Sequence, residues 1–413
     1  MAPNSMLIGN IKRLYQTRFS KSGPVKGSDM ATLPYLENAY LLIQDGIIKD
    51  FGPMQDCPEL NLEYIDTTDK FVLPAWCDSH THLVYAGSRE SEFIDKIKGL
   101  SYEEIAKRGG GILNSAQKLR TTPEEVLLEQ TSTRLNEIIS FGTGAVEIKS
   151  GYGLDLESEL KMLRVIRTLK ANSLVTIKST FLAAHALPLE YKDNRKAYID
   201  LIVDKMLPIV ADEALADFCD VFCDRGFFTP EETDRILLVG NKLGLKPKIH
   251  ANELDYSGGI QVGVKNKAIS VDHLECVGQH EIDCLLNSST MPTLLPSTAF
   301  FLKLEYPPAR KMIDSGLPVA LASDYNPGSS PSGKMSFVIS LACIYMKMLP
   351  EEAINAATIN GAVAMELQNS HGQIKKGYAG NIIISKKIPE IAYIPYSFGS
   401  DLIDKVILKG LVQ

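Results

Sequence analysis

The stretch Val72-Leu-Pro-Ala-Trp-Cys-Asp-Ser-His-Thr-His82 joins an apolar run to a pair of histidines two residues apart. Its apolar part reads as a strand, and on an extended segment residues i and i+2 point the same way, so both imidazoles can reach one ion. Seven more apolar runs of strand type follow, at 144–148, 179–184, 219–222, 247–249, 268–271, 290–295 and 318–322. Helical patterns separate them. Thr122-Pro-Glu-Glu125, Thr229-Pro-Glu-Glu232 and Ser101-Tyr-Glu-Glu104 each offer a capping box, and in the first two proline takes the first helical position. After Asp155, the residues Leu156, Leu160, Leu163, Ile166 and Leu169 recur at helical steps. Eight strands alternating with helices predict an α/β fold, a (β/α)8 barrel of TIM type, with a doubly wound open sheet as the alternative.

Chemistry gathers at the ends of these runs. His80 and His82 follow the first, His185 the third, His250 the fifth, His273 the sixth and Asp324 the eighth. In a barrel the carboxyl ends of all strands meet at one rim, so these side chains are expected to converge. Three imidazoles and one carboxylate, from His80, His82, His250 and Asp324, suit Zn2+ or Fe2+. A metal held there lowers the pKa of a bound water to about 7. Glu253, three residues after His250, is placed to shuttle protons, and His273 to act as an electrophile or to stabilise an oxyanion. Arg89, on the loop leaving the first strand, is placed to clamp a carboxylate. The segment Gly109-Gly110-Gly111 has no GK[ST] continuation, which favours a bend or lid over a phosphate loop.

The ends of the chain differ from its middle. The segment Ala39-Tyr-Leu-Leu-Ile-Gln44, then Asp45-Gly46, then Ile47-Ile-Lys-Asp-Phe51 is a hairpin signal, and Asn381-Ile-Ile-Ile-Ser385 reads as a strand. Both ends are expected to form one composite β-sandwich domain, 1–70 with 371–413, around a barrel at 71–370. The 413 residues carry 43 basic and 50 acidic side chains, a net charge of −7, which argues against a nucleic-acid binder. Composition, 45% hydrophobic and 23% charged, is that of a globular protein. Seven cysteines without a CxxC pair read as free thiols in a reducing compartment. The absence of a signal-type N-terminus and of any long apolar stretch predicts a cytoplasmic protein with no membrane partner.

With these residues in view, Leu73 through His82, His250, His273 and Asp324 together resemble the amidohydrolase superfamily. In that superfamily a barrel with a small β-sandwich binds metal through HxH after strand 1, His after strand 5 and Asp after strand 8. Longer segments resemble its imidazolonepropionase family. These are His80-Thr-His-Leu-Val-Tyr-Ala-Gly-Ser-Arg-Glu90, the stretch 102–112, Val146-Glu-Ile-Lys-Ser-Gly-Tyr-Gly-Leu154, Ala183-Ala-His-Ala-Leu-Pro188 and Ser323-Asp-Tyr-Asn-Pro-Gly328. The resemblance implies hydrolysis of 4-imidazolone-5-propanoate to N-formimidoyl-L-glutamate, the third step of histidine degradation, by a homodimer with one Zn2+ or Fe3+ per chain. It assigns the metal to His80, His82, His250 and Asp324. Substrate or product contacts fall to Arg89, Tyr152, His185, Glu253, Asn326, Gly328 and Ser329, and catalytic roles to Glu253, His273 and Asp324. Binuclear relatives use a lysine after strand 4. The fourth run here ends without one, and Lys149 follows the second, so a single ion is expected and Lys149 is not a ligand. Three departures stand out: Trp76-Cys77 where a Gly-aliphatic pair is more usual, Asn381 where relatives often carry Asp, and Ser329 where Thr is common. The alternatives are an aminohydrolase of a nucleobase-like ring and a non-catalytic scaffold on the same fold.

Overall fold

The computed structural model describes residues 4–17, 23–100 and 110–413. The capping box at Ser101 and the first glycine of the 109–111 segment lie outside the described residues. The N-terminal part builds β1 (Met6–Tyr15), β2 (Tyr35–Gln44), β3 (Ile47–Pro53), β4 (Glu63–Asp66) and β5 (Phe71–Pro74). The middle builds β6 (Trp76–Thr81), β7 (Thr143–Lys149), β8 (Thr176–Ala184), β9 (Phe218–Cys223), β10 (Lys246–Ala251), β11 (Ser270–His273), β12 (Met291–Leu294) and β13 (Ala320–Leu321). The C-terminal part adds β14 (Ile382–Ser385), β15 (Ile403–Leu408) and β16 (Leu411–Val412).

Strands β6 to β13 pair in chain order, every pair parallel, with helices in the crossovers. The ring comes round on itself at β6. Thr81 bridges Tyr325, Asp324 N donates to His80 O at 3.0 Å, and His82 N donates to Tyr325 O at 2.9 Å. The barrel expectation therefore holds over the open sheet, and the contacts that close the ring involve three of the expected metal ligands, His80, His82 and Asp324.

Both chain ends supply the second sheet, in the order β16-β15-β14-β5-β1-β2-β3, with β4 beside β1. The Asp45-Gly46 hairpin forms, with φ of 51° and 75°, the positive values a tight right-twisted turn needs. In β1, a bulge between Ile8 and Ile11 keeps Ile11 on the core side with Met6 and Ile8, against Ile43, Ile382 and Ile407.

The run read as one strand at 72–77 is in fact divided. Phe71–Pro74 pairs with β1 and β14, and the barrel starts at Trp76. Ala75 N donates to Asn381 O at 3.0 Å and Trp76 N to Gly142 O at 2.9 Å, so consecutive amides serve different sheets. Both segments are buried on both faces, which leaves no change of pattern to mark the join. Asn381 sits at this junction. Its Nδ2 donates to Gly144 O at 3.0 Å and its Oδ1 accepts from Lys409 N at 2.9 Å. An aspartate could only accept, which gives the asparagine here a physical reason.

The helix Pro230–Lys242 carries the full capping box of Thr229 and Glu232. Helix Leu156–Asn172 buries Leu160, Leu163, Ile166 and Leu169, with Asp155 capping Ser158 N at 2.8 Å. The box expected at Thr122 does not form. Thr122 closes the preceding helix Ile112–Thr121, its hydroxyl donates to Lys118 O at 2.7 Å, and Pro123 is the N-cap of Glu124–Ser140. All seven cysteines are free thiols, and among the described residues no helix is long and apolar enough to cross a membrane.

Candidate active site and metal centre

A cavity of about 610 Å³ opens at the carboxyl ends of the barrel strands. Of the expected site residues, His82, Arg89, Tyr152, His185, His250, Glu253, His273, Asp324, Asn326, Gly328 and Ser329 line it. His80, fully buried, lies beneath them.

At the floor, His80 Nε2 stands 3.3 Å from His82 Nε2, and His82 Nε2 stands 3.4 Å from His250 Nε2. Asp324 Oδ1 lies 3.5 Å from both His80 Nε2 and His82 Nε2. Ligands about 2.0–2.1 Å from a tetrahedral ion are separated by roughly 3.4 Å, so these spacings fit a shared cation. The distal nitrogens of His80 and His250 support that fit, while His82 Nδ1 is buried without a partner among the described residues. His80 Nδ1 donates to Asp272 Oδ2 at 2.7 Å and His250 Nδ1 to Asp220 Oδ1 at 3.1 Å. Each bond holds the proton on Nδ1 and leaves Nε2 a lone pair, the arrangement a ligating imidazole requires. Burial and neighbouring imidazoles push the His80 and His82 pKa values well below the usual range, which keeps both rings neutral. Asp324 is held at its other oxygen, where Thr298 Oγ1 donates to Oδ2 at 2.6 Å.

Glu253, His273 and Glu275 form a second cluster at the rim. His273 Nδ1 lies 3.6 Å from Glu253 Oε2 and 3.9 Å from Glu275 Oε2. Burial opposes a charge on His273, but the two carboxylates outweigh it and raise its pKa to about 10. Burial, reinforced by Glu275 and Asp324, raises Glu253 to about 7. His273 and Leu274 both adopt positive φ, 87° and 70°, and strained backbone of this kind concentrates at functional sites.

Arg89 is fixed by its Nε, which donates to Ser115 Oγ at 2.8 Å. Its Nη2 is buried with no hydrogen-bond partner among the described residues, although the residue lines the cavity. The guanidinium lies 5.9 Å from the Tyr152 ring and presses on Gly328, where a Cβ would sit 2.3 Å from Arg89 Nη1. His185 stacks on His82, ring centroids 5.0 Å apart, and its Nδ1 donates to Gly151 O at 3.0 Å. The Asn326 side chain is engaged in its own turn: Oδ1 accepts from Gly328 N and Ser329 N, and Nδ2 donates to Asp324 O and Ser329 Oγ.

Sequence reasoning missed Asp220, Asp272, Glu275, Ser115 and Thr298. For Asp220 and Asp272 a signal existed. Asp220 is a charged residue inside an otherwise apolar strand, and Asp272 directly follows an apolar run and precedes His273. Ser115 and Thr298 come from distant helices and carry no such mark.

The chain is 56% identical over 407 residues to the imidazolonepropionase of Flavobacterium johnsoniae, covering 98% of this chain and 99% of the relative. The chain belongs to the imidazolonepropionase family. The imidazolonepropionases of Christiangramia forsetii and Clostridium tetani are 54% and 43% identical, over 98% and 93% of this chain and 99% and 92% of theirs. The model of the amidohydrolase family matches residues 228–412. Among solved structures, E. coli guanine deaminase is similar with a TM-score of 0.75 at 12% identity, over 99% of this chain and 98% of that one. A triazine hydrolase variant gives 0.75 at 15%, over 99% and 94%. At such identities the likeness concerns the fold. The family, the amidohydrolase barrel and a histidine cluster able to hold a metal thus agree with what the motifs implied.

Proposed function

We propose that the protein hydrolyses the cyclic amide of 4-imidazolone-5-propanoate to N-formimidoyl-L-glutamate, as the third step of histidine degradation, with one Zn2+ or Fe3+ held by His80, His82, His250 and Asp324. The observation that carries this reading is the union, at one cavity and its floor, of a histidine cluster able to hold a metal with the guanidinium of Arg89. When bound, the ion supplies Lewis acidity, polarising a carbonyl and lowering the pKa of water.

The chain's own groups do the rest. Arg89 lines the cavity and its guanidinium is the group there suited to a propanoate arm, with Tyr152 beside it. With Nδ1 donating to Gly151, His185 turns a lone pair on Nε2 towards a ring N–H. Glu253, with a pKa near neutrality, takes the proton from the attacking water and returns it to the departing ring nitrogen. The imidazolium of His273 donates to the developing oxyanion. Asp324 orients the water, while Asn326, Gly328 and Ser329 shape the wall that carries Arg89. The two domains expected at 71–370 and at 1–70 with 371–413 are proposed with one adjustment, Phe71–Pro74 going to the sheet domain and the barrel beginning at Trp76, in a cytoplasmic homodimer.

The test is product identity. Incubation with enzymatically generated 4-imidazolone-5-propanoate is expected to yield N-formimidoyl-L-glutamate by NMR, with no ammonia from amidines and nucleobases. Ammonia from a nucleobase, with the imidazolone intact, would favour an aminohydrolase instead.

A further inference from the structure

Beneath the cavity the barrel holds five charged side chains that the proposed reaction does not use directly: Glu147 and Lys149 on β7, Asp220 on β9, Lys248 on β10 and Asp272 on β11. All are buried, at most 1% exposed. They face inward because each lies an even number of residues from another inward position: 147 and 149, 248 and 250, 270 and 272. Strand register places Lys248 beside Asp220, and His250 beside Asp272.

Asp272 and Asp220 are the acceptors that hold His80 and His250. Lys149 reaches both. Its Nζ donates to Asp220 Oδ2 at 2.8 Å and to Glu147 Oε1 at 2.5 Å, and lies 3.7 Å from Asp272 Oδ2. Lys248 differs. It donates to Glu147 Oε2, to Ser79 O at 3.1 Å and to Ala364 O at 3.3 Å, and lies 3.9 Å from Asp272. Among the described residues, Lys149 alone has its ammonium in ion-pair reach of both histidine-orienting carboxylates.

We propose that Lys149 is a positioning residue for the metal centre: one buried ammonium fixes the two carboxylates that orient the ligating imidazoles of His80 and His250. The inference rests on the reading of His80, His82, His250 and Asp324 as metal ligands. The sequence motif Val146-Glu-Ile-Lys149 thereby gains a role in holding ligands rather than in being one. Asp220 meets the ligand-bearing strand at one further point, accepting from His250 N at 3.2 Å. Loss of the ammonium leaves Asp272 with only the more distant Lys248 as a cation, and Asp220 with no lysine. Groups that orient metal ligands in this way change metal affinity by about 10- to 100-fold when removed.

The experiment compares the wild type with K149M, and with the double variant K149M/E147Q, which removes one charge of each sign and leaves the buried net charge unchanged. Zn2+ affinity is measured by competition with a chromogenic chelator, and the visible spectrum of the Co2+-substituted protein reports ligand geometry. Both variants, where folded by circular dichroism, are expected to bind Zn2+ about 10- to 100-fold more weakly, with an altered Co2+ spectrum. Wild-type affinity and spectrum in the double variant would overturn the proposal. So would failure of both variants to fold, since the residue would then serve the barrel as a whole. A wild-type protein that binds no metal would instead defeat the ligand reading itself.

Discussion

Replacing Gly328 with alanine perturbs one contact and little else. The new Cβ would sit 2.3 Å from Arg89 Nη1 and 3.1 Å from its Cζ, while Asn326 Oδ1 at 3.6 Å is in ordinary contact. Gly328 has no positive φ, so the backbone accepts alanine without strain. The guanidinium must therefore move, and its Nε bond to Ser115 Oγ limits how far it can go without losing its aim. A hydrogen bond to a charged group contributes about 1.5–3 kcal/mol. At about 1.4 kcal/mol per decade, a displaced clamp lowers kcat/KM by roughly 10- to 150-fold. The loss should fall mainly on KM, because the propanoate is held alike in ground and transition states. The assay is the fall in absorbance of enzymatically generated 4-imidazolone-5-propanoate, with thermal melting as a control for folding. A double-mutant cycle sharpens it: in an R89A background, G328A should change kcat/KM less than about twofold. An undiminished kcat/KM in G328A, or an equal loss with and without Arg89, would refute the reasoning.

Other expectations follow from the same geometry. E253Q should reduce kcat by about 10²-fold or more. In the wild type the acid limb of kcat/KM should lie near pH 7, since the base form of Glu253 accumulates as pH rises through its raised pKa; an E253Q enzyme that keeps both rate and limb would remove it from the mechanism. His371 is buried far from the cavity between Thr176 Oγ1 and Ser370 Oγ, and burial lowers its pKa to about 4. The unfolded chain takes up that proton near pH 6.5 and the folded one does not, so stability is lost as pH falls through this window, by about 2 kcal/mol between pH 7 and 5. Urea titrations at both pH values should show a correspondingly smaller difference in H371Q. T229A should cost about 1 kcal/mol, whereas T122A, which removes no N-cap, should cost less than about 0.5 kcal/mol; equal losses in denaturant melts would contradict the capping assignment.

The barrel was legible because each strand is an apolar run and each crossover carries helical periodicity. The histidines were legible because side chains at strand ends share a rim. Charged residues within strands were harder to read. Lys149 was read only as lying outside the ligand motif, and its link to Asp220 and Asp272 depends on strand register, which no single run encodes. The join at Ala75 was hidden for a related reason: Phe71 to Thr81 is buried on both faces, so neither sheet imprints a period of two. Thr122 misled through competition, since its hydroxyl bonds the Lys118 carbonyl in the last turn of the preceding helix instead of capping the next. Arg89 could be singled out as a clamp, but its support by Ser115 and Gly328 brings together residues 26 and 239 positions away in the chain.

The central claim is that the cluster of His80, His82, His250 and Asp324 holds the ion on which hydrolysis of the imidazolone ring depends. Turnover of 4-imidazolone-5-propanoate measured before chelation, after it, and after return of Zn2+ or iron tests this most directly. Turnover is expected to be lost on chelation and to recover at one equivalent of metal per chain. Full activity in protein shown by elemental analysis to be metal-free would contradict it.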